Sequence, residues 1–283
     1  VWIRAVATKT RPPKYHFLRW RTLWDLLSFG VCLLTGRRRS FARDGLRIMQ
    51  VNPFPRRARG LEHVPQRGSF VAVMNHYDRD GLHPYHCAMM VNALVQPRRQ
   101  ESPEIRWAFT SELWGRKVGP FPIPLPLIRW VFRRIAKVYG FVVIPRREEL
   151  VMGRAAAIRA FLEALEAGPV GLTPEAAGSG RLIEPPAGSG LFMLALARRG
   201  HPFLPIAVWE DEGVLNIVFG EPFHLEVDES LPRQERDRQA REQVMVAIGK
   251  LLPPAYRGAY AEAIAYALAA QSSSSEAGRG EMG

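Results

Sequence analysis

The chain has 283 residues, 47% apolar and 23% charged, a composition ordinary for a folded protein and sufficient for one large domain or two small ones. Its net charge of +12 calls for a polyanionic partner: anionic lipid, a phosphorylated substrate or nucleic acid. Two cysteines, Cys32 and Cys87, exclude a disulfide framework and fit a reducing, cytosolic compartment.

The chain opens at Val1 rather than Met, which points to an alternative start codon or a missing N-terminus. From Trp20 to Gly36 runs an apolar segment that carries Arg21 and Asp25. It falls short of the roughly 20 apolar residues that a spanning helix needs. Its basic flanks (Lys14, Arg19, Arg37, Arg38, Arg39) and its tryptophans Trp20 and Trp24 suit a helix lying in the headgroup layer of a membrane. The alternative is a core helix with a basic surface. No small-residue cleavage site follows, which argues against a signal peptide.

Asn52 to Gly68, with three prolines and two glycines, reads as a linker. Beyond it strand and helix signals alternate. Ser69–Met74, Trp107–Thr110, Phe141–Ile144, Val170–Thr173, Phe203–Trp209 and Leu215–Phe219 are predicted strands. Pro84–Leu94, Leu125–Val138, Glu148–Ala167 and Ala187–Arg199 are predicted helices. Ser230 caps a further helix reaching Leu252, and Tyr256–Ala270 forms an alanine-rich one. The fold class expected is α/β, with a mainly parallel central sheet flanked by helices. The organisation expected is a basic, apolar, membrane-associating helical segment over 1–59, an α/β domain over 60–270 and a disordered tail over 271–283.

Three predicted strands end in polar clusters, and ligands of open α/β sheets sit at the carboxyl ends of strands. The first is VAVMNHYDRDGLHPYH, Val71 to His86. His76 there suits a general base, and one helical turn would bring Asp80 beside it to fix its tautomer and stabilise the imidazolium. The second is GFVVIPRR, where the strand delivers Arg146 and Arg147, whose planar guanidinium grips phosphate well. The third is VGLTPEAAGSGRL, a glycine-rich turn with Glu175, Ser179 and Arg181, able to let backbone amides approach an anion. A proline-bearing apolar run, His201 to Val208, follows.

In this order the segments resemble the glycerolipid acyltransferase family, typified by 1-acylglycerol-3-phosphate acyltransferases, over about Gly60 to Phe223. Asn75-His76 matches its Asn-His, four residues, Asp block. Gly140 to Arg146 matches its Gly-x-x-Phe/Val-Ile-x-Arg block, and Pro202 to Ala207 its proline-bearing strand. Thr173 to Ser179 keeps Pro, Glu and Ser of its Phe-Pro-Glu-Gly-Thr-Arg-Ser block, with Gly178 in place of Arg. The expected Asp falls on Gly81; Asp80 is one residue early, and Asp78 falls where a Ser is common.

The resemblance implies transfer of a fatty acyl group from a thioester of coenzyme A or acyl carrier protein to a lysophospholipid hydroxyl, with no cofactor and no metal. It implies His76 as base, oriented by Asp80 in preference to Asp78. Arg146 would bind the acceptor phosphate, helped by Asn75, Glu175, Ser179 and Arg181. The partners expected are an anionic membrane surface, the lysophospholipid acceptor and the acyl thioester donor; no nucleic-acid-binding motif stands behind the charge. The location expected is the cytoplasmic face of a membrane. The basic amphipathic segment Pro126 to Val138 reads either as a second membrane-surface element or as a half-buried helix with a solvated face. Two rival readings are a non-catalytic lipid-binding homologue and a metal-dependent hydrolase using the His and Asp residues between 76 and 86.

Overall fold

Val71, Ala72, Val73 and Met74 are apolar without a break, and they form a strand with no exposed surface on either face (β2, Val71–Met74). A strand in the middle of a helix-covered parallel sheet must read this way. The computed structural model describes residues 13–16, 23–99, 103–110, 117–118, 121–122, 124–144, 154–178 and 180–280. Around β2 runs a seven-stranded sheet. Its order is β1 (Arg56–Arg59), β9 (Val214–Phe219), β8 (Phe203–Asp211), β2, β7 (Val170–Leu172), β3 (Arg106–Thr110) and β6 (Val142–Ile144). Neighbours are parallel except β8 and β9, which form an antiparallel pair. Two short strands, β4 (Lys117–Val118) and β5 (Phe121–Pro122), make a separate antiparallel ribbon.

Val71 lies opposite both Val170 of β7 and Phe203 of β8, so β2 sits between them in register. The carboxyl ends of these three parallel strands therefore lie side by side. Their tops carry His76, Glu175 and Glu210.

The helices are α1 (Leu23–Thr35), α2 (Phe41–Val51), α3 (Pro84–Val95), α4 (Leu125–Tyr139), α5 (Arg154–Ala167), α6 (Ser189–Ala197), α7 (Arg233–Lys250) and α8 (Ala261–Gly280). Two acidic caps tie them to the rest. Glu104 accepts the first amides of α2, Phe41 N and Ala42 N, at 2.8 and 3.1 Å, placing a carboxylate on the positive end of the helix. Asp237 of α7 does the same for α6, accepting Gly188 N and Leu191 N at 2.9 and 3.0 Å.

Several expectations change. The stretch read as a linker contains β1, which pairs with β9 on the sheet edge. Residues on both sides of the expected division at 59 and 60 pack together: Phe41, Ala42 and Ile48 of α2 are buried, and α2 lies against α3. The helix expected from Glu148 is described from Arg154. Helix α8 continues through Gly280, past residue 270 where an irregular tail was expected. No proline interrupts that stretch.

Of the segment read as a headgroup-layer helix or a core helix, α1 is described from Leu23, and there the core-helix reading fails, because none of the residues of α1 is buried. Its polar side faces the protein: Asp25 pairs with Arg47, and Ser28 accepts a hydrogen bond from Arg39 at 2.8 Å. Its apolar residues point outward, with Trp24 82% and Leu34 66% exposed and Leu23, Leu26, Leu27 and Val31 exposed beside them. Leu127 and Trp130 of α4, the helix that α1 contacts, are exposed as well. Among the described residues no helix is long and apolar enough to cross a membrane.

Candidate active site

The loop after β2 is tied to its neighbours on both sides. Toward β8, Asn75 acts as one more rung of the ladder. Its Nδ2 donates to Val208 O at 2.8 Å, and Val208 N donates to its Oδ1 at 2.7 Å. The side chain is buried, so Asn75 holds the strand end rather than facing a ligand.

Toward β7, the carboxylate of Glu175 bridges two loops. Oε2 accepts His76 N at 2.5 Å and Oε1 accepts Ile183 N at 3.0 Å. Burial raises its pKa from 4.5 to about 7, and the two amide donors offset only part of that. Expected to shape the substrate site, Glu175 engages both oxygens with backbone amides, one of His76 and one of Ile183. His76 itself is half-buried, its Nδ1 turned inward.

The helical turn expected between His76 and Asp80 does not form. Arg79 and Leu82 exchange backbone hydrogen bonds, both 3.0 Å, closing a tight turn with Asp80 and Gly81 at its tip. Gly81 has φ +80°, which a glycine adopts without strain. Asp80 is 83% exposed and pairs with Lys14 at 2.8 Å. Gly81, where the sequence resemblance places a carboxylate, is covered by the chain segment around Lys14: a Cβ here would lie 2.7 Å from Lys14 Cγ and 2.8 Å from its Cα.

Asp78 stays with the site. Its Oδ1 lies 2.8 Å from Nδ1 of His83. A Cβ added at Gly178 would collide with Asp78 Cβ and stand 2.6 Å from His76 Nδ1. The third block thus reaches the first through a residue with no side chain, and His76 and Asp78 flank that point together. Arg181 is exposed further along the same loop, while Arg146, Arg147 and Ser179 lie outside the described residues.

Glu210 is a component that sequence reasoning missed. From the end of β8 it forms a forked ion pair with Arg79 and accepts from Tyr77 Oη at 3.3 Å, fixing the loop that carries Asp78. Nothing local marked it, because it lies 131 residues from Arg79. Beneath the loop, His86 accepts the His83 amide on Nδ1 at 3.1 Å. Burial lowers the pKa of His86 to about 4, so it stays neutral. Among the described residues, no three His, Cys, Asp or Glu side chains converge as metal ligands.

No family model and no curated protein matches the chain. Among solved structures it is similar to the crystal structure of the 1-acyl-sn-glycerophosphate (LPA) acyltransferase, PlsC, from Thermotoga maritima, at 18% sequence identity over 75% of this chain and 78% of that one, with a TM-score of 0.46.

Proposed function

We propose that the protein is an acyltransferase working at a membrane surface. It transfers a fatty acyl group from a thioester of coenzyme A or acyl carrier protein to a hydroxyl of a lysophospholipid such as 1-acylglycerol-3-phosphate. The observation that carries this reading is the junction of the first and third blocks. They lie on adjacent parallel strands, with Glu175 holding the His76 amide at 2.5 Å and Gly178 against the imidazole.

In this mechanism His76 Nε2 takes the proton of the acceptor hydroxyl as its oxygen attacks the thioester carbonyl. The tetrahedral intermediate collapses, the carbon–sulfur bond breaks, and the imidazolium returns its proton to the leaving thiolate. No covalent acyl-enzyme is needed. Arg146, two residues beyond the end of β6, would grip the acceptor phosphate. The outward apolar face of α1, beside Leu127 and Trp130 of α4, would rest in the headgroup layer. Arg37, Arg38, Arg133 and Arg134 around it suit anionic lipid.

A specific feature favours the second reading, a lipid-binding homologue without chemistry: Gly81 stands where the family has its carboxylate. An acyl-transfer assay with a panel of lysophospholipids and both thioester donors separates the two. Wild type is expected to turn over and His76→Ala to lose about 10²–10⁴-fold. Equal rates in the two proteins would remove His76 from the chemistry; lipid binding without turnover in wild type would leave the second reading.

A further inference from the structure

Ahead of α1, the short segment Pro13–His16 runs against the loop that carries His76. Tyr15 N donates to Gly81 O at 2.6 Å, and Lys14 Nζ lies 2.8 Å from Asp80 Oδ2. The next residue is tied to the end of α2. His16 N donates to Asn52 Oδ1, and Asn52 Nδ2 donates to His16 O, both at 2.9 Å. Asn52, the C-cap of α2, has no exposed surface. The segment is therefore a strap, fastened to α2 through His16 and to the turn at Arg79–Leu82 through Lys14 and Tyr15.

The Lys14–Asp80 pair contributes little to this attachment, because both side chains are exposed. Tyr15 contributes more, since only 5% of it is exposed. Its ring meets Phe54 edge-on at 5.0 Å, lies 6.2 Å from the ring of His86, and has the Arg79 guanidinium over it at 6.0 Å. Arg79 is thus held twice, by the Glu210 carboxylate and by this ring. The Tyr15 hydroxyl has no hydrogen-bond partner among the described residues, so the ring makes the attachment. The strap also accounts for Gly81. A Cβ there would stand 2.7 Å from Lys14 Cγ and 2.8 Å from its Cα, so the strap closes only on a residue without one.

We propose that Pro13–His16 clamps the loop carrying His76, and that Tyr15 is a positioning residue for the transfer reaction. It acts through Arg79 and the Gly81 carbonyl. Only six residues separate His76 from His83 at the start of α3, and Arg79 and Gly81 are two of them. Play at the turn is passed along this short connection to the backbone that presents the imidazole, where a misplacement of about 1 Å costs about 100-fold in rate. Tyr15 belongs to the hydrophobic core, so the strap works closed, as a clamp and not as a lid.

This assignment rests on the acyltransferase reading, and one set of measurements distinguishes their failures. Full-length wild type, Tyr15→Phe, Tyr15→Leu, Asn52→Ala and Phe161→Leu are compared well below their unfolding midpoints. The readouts are acyl-transfer kinetics and hydrogen exchange of peptides covering residues 75–82. Phe161 of α5 is a fully buried ring packed on Phe192, and its variant reports what lost core packing does by itself. Tyr15→Leu is expected to lower kcat by about tenfold or more with KM within about threefold, and to speed exchange in 75–82 by about tenfold. Asn52→Ala, which loosens the strap without touching the loop, is expected to move both readouts the same way by about threefold. Tyr15→Phe and Phe161→Leu are expected to keep the wild-type kcat and the wild-type exchange of this loop. The proposal is overturned if Tyr15→Leu, or Asn52→Ala where Tyr15→Leu does not fold, keeps both readouts at the wild-type level. It is overturned as well if Phe161→Leu loses as much kcat as Tyr15→Leu, if Tyr15→Phe falls with Tyr15→Leu, or if Tyr15→Leu turns over faster than wild type, the mark of a lid. A wild type that transfers no acyl group removes the acyltransferase reading and the role of Tyr15 in it, whereas unchanged loop exchange in the variants of an active enzyme removes the clamp alone.

Discussion

Gly178 is where the loop after β7 touches the loop after β2, and a single methyl group tests whether that closeness matters. In Gly178→Ala the new Cβ would stand 2.6 Å from His76 Nδ1 and 3.0 Å from the His76 carbonyl oxygen, with Asp78 Cβ also in its way. Non-bonded heavy atoms settle at roughly 3.5–4.0 Å, so relief requires a displacement on the order of 1 Å. Gly178 is exposed, which lets part of that displacement go outward. The cost in stability is accordingly about 1–3 kcal/mol at most, the ordinary range for overpacking. The cost in rate is larger, because misplacing a reacting group by about 1 Å lowers turnover by about 100-fold. Steady-state kinetics and thermal unfolding on the same preparations separate the two effects. The expected result is kcat down by about 100-fold with an unfolding midpoint within roughly 10 °C of wild type. A variant with full activity would refute the argument that the imidazole and Asp78 are held against this turn.

Four further outcomes follow from the same geometry. Gly81→Asp, which puts a carboxylate where the resembled acyltransferases carry one, is expected to lower stability and leave kcat no higher, because φ is +80° and Lys14 already occupies the space; a rise in kcat would contradict this. Asn75→Ala leaves Val208 N and O without partners and is expected to cost about 2–4 kcal/mol in denaturant unfolding, a loss that a ligand-facing side chain would not produce. Glu175 has its folded pKa raised to about 7 from 4.5, so its linked stability is complete below about pH 4.5 and is lost as pH rises through about 7, on the order of 3 kcal/mol in all. The stability gap between wild type and Glu175→Gln should therefore move in favour of the variant between pH 5 and pH 8; a gap independent of pH would count against the shift. Leu27→Glu with Leu34→Glu on the outer face of α1 should weaken co-sedimentation with anionic vesicles by tenfold or more, each leucine contributing about 1.5–3 kcal/mol when buried; unchanged sedimentation would place the membrane contact elsewhere.

Much of this molecule is written locally. Val71–Met74, Val170–Leu172 and Phe203–Trp209 are short apolar runs bounded by turn residues, and a buried parallel strand requires little more. Their polar successors, from Asn75 and from Thr173, followed from the same boundaries, which is why His76 and Glu175 could be singled out before any fold was in view. Helices α3 and α4 likewise came from spacing and from their starts, whereas α7 starts at Arg233 with Pro232 at its N-cap, not with Ser230 as the cap. Strand β1 did not: Arg56–Arg59 is mostly arginine, with Pro55 before it and Gly60 after it, and only an open edge beside β9 makes it a strand.

The roles of the site residues were decided by tertiary structure. Asn75 belongs to Val208, 133 residues away, and Glu175 to the amide of His76, 99 residues away. Both pairings exist because the sheet order sets β2 between β8 and β7, and no local pattern encodes that order. Asp80 shows the same division at short range. Composition marked it as an acid near a histidine, but the turn closed by Arg79 and Leu82 points it to solvent and leaves Asp78 with His83. Residue types and strand ends are properties of the chain, since they depend on local hydrophobicity and turn propensity. Which carboxylate meets which donor depends on strand order and turn geometry, and those emerge only when the sheet is assembled.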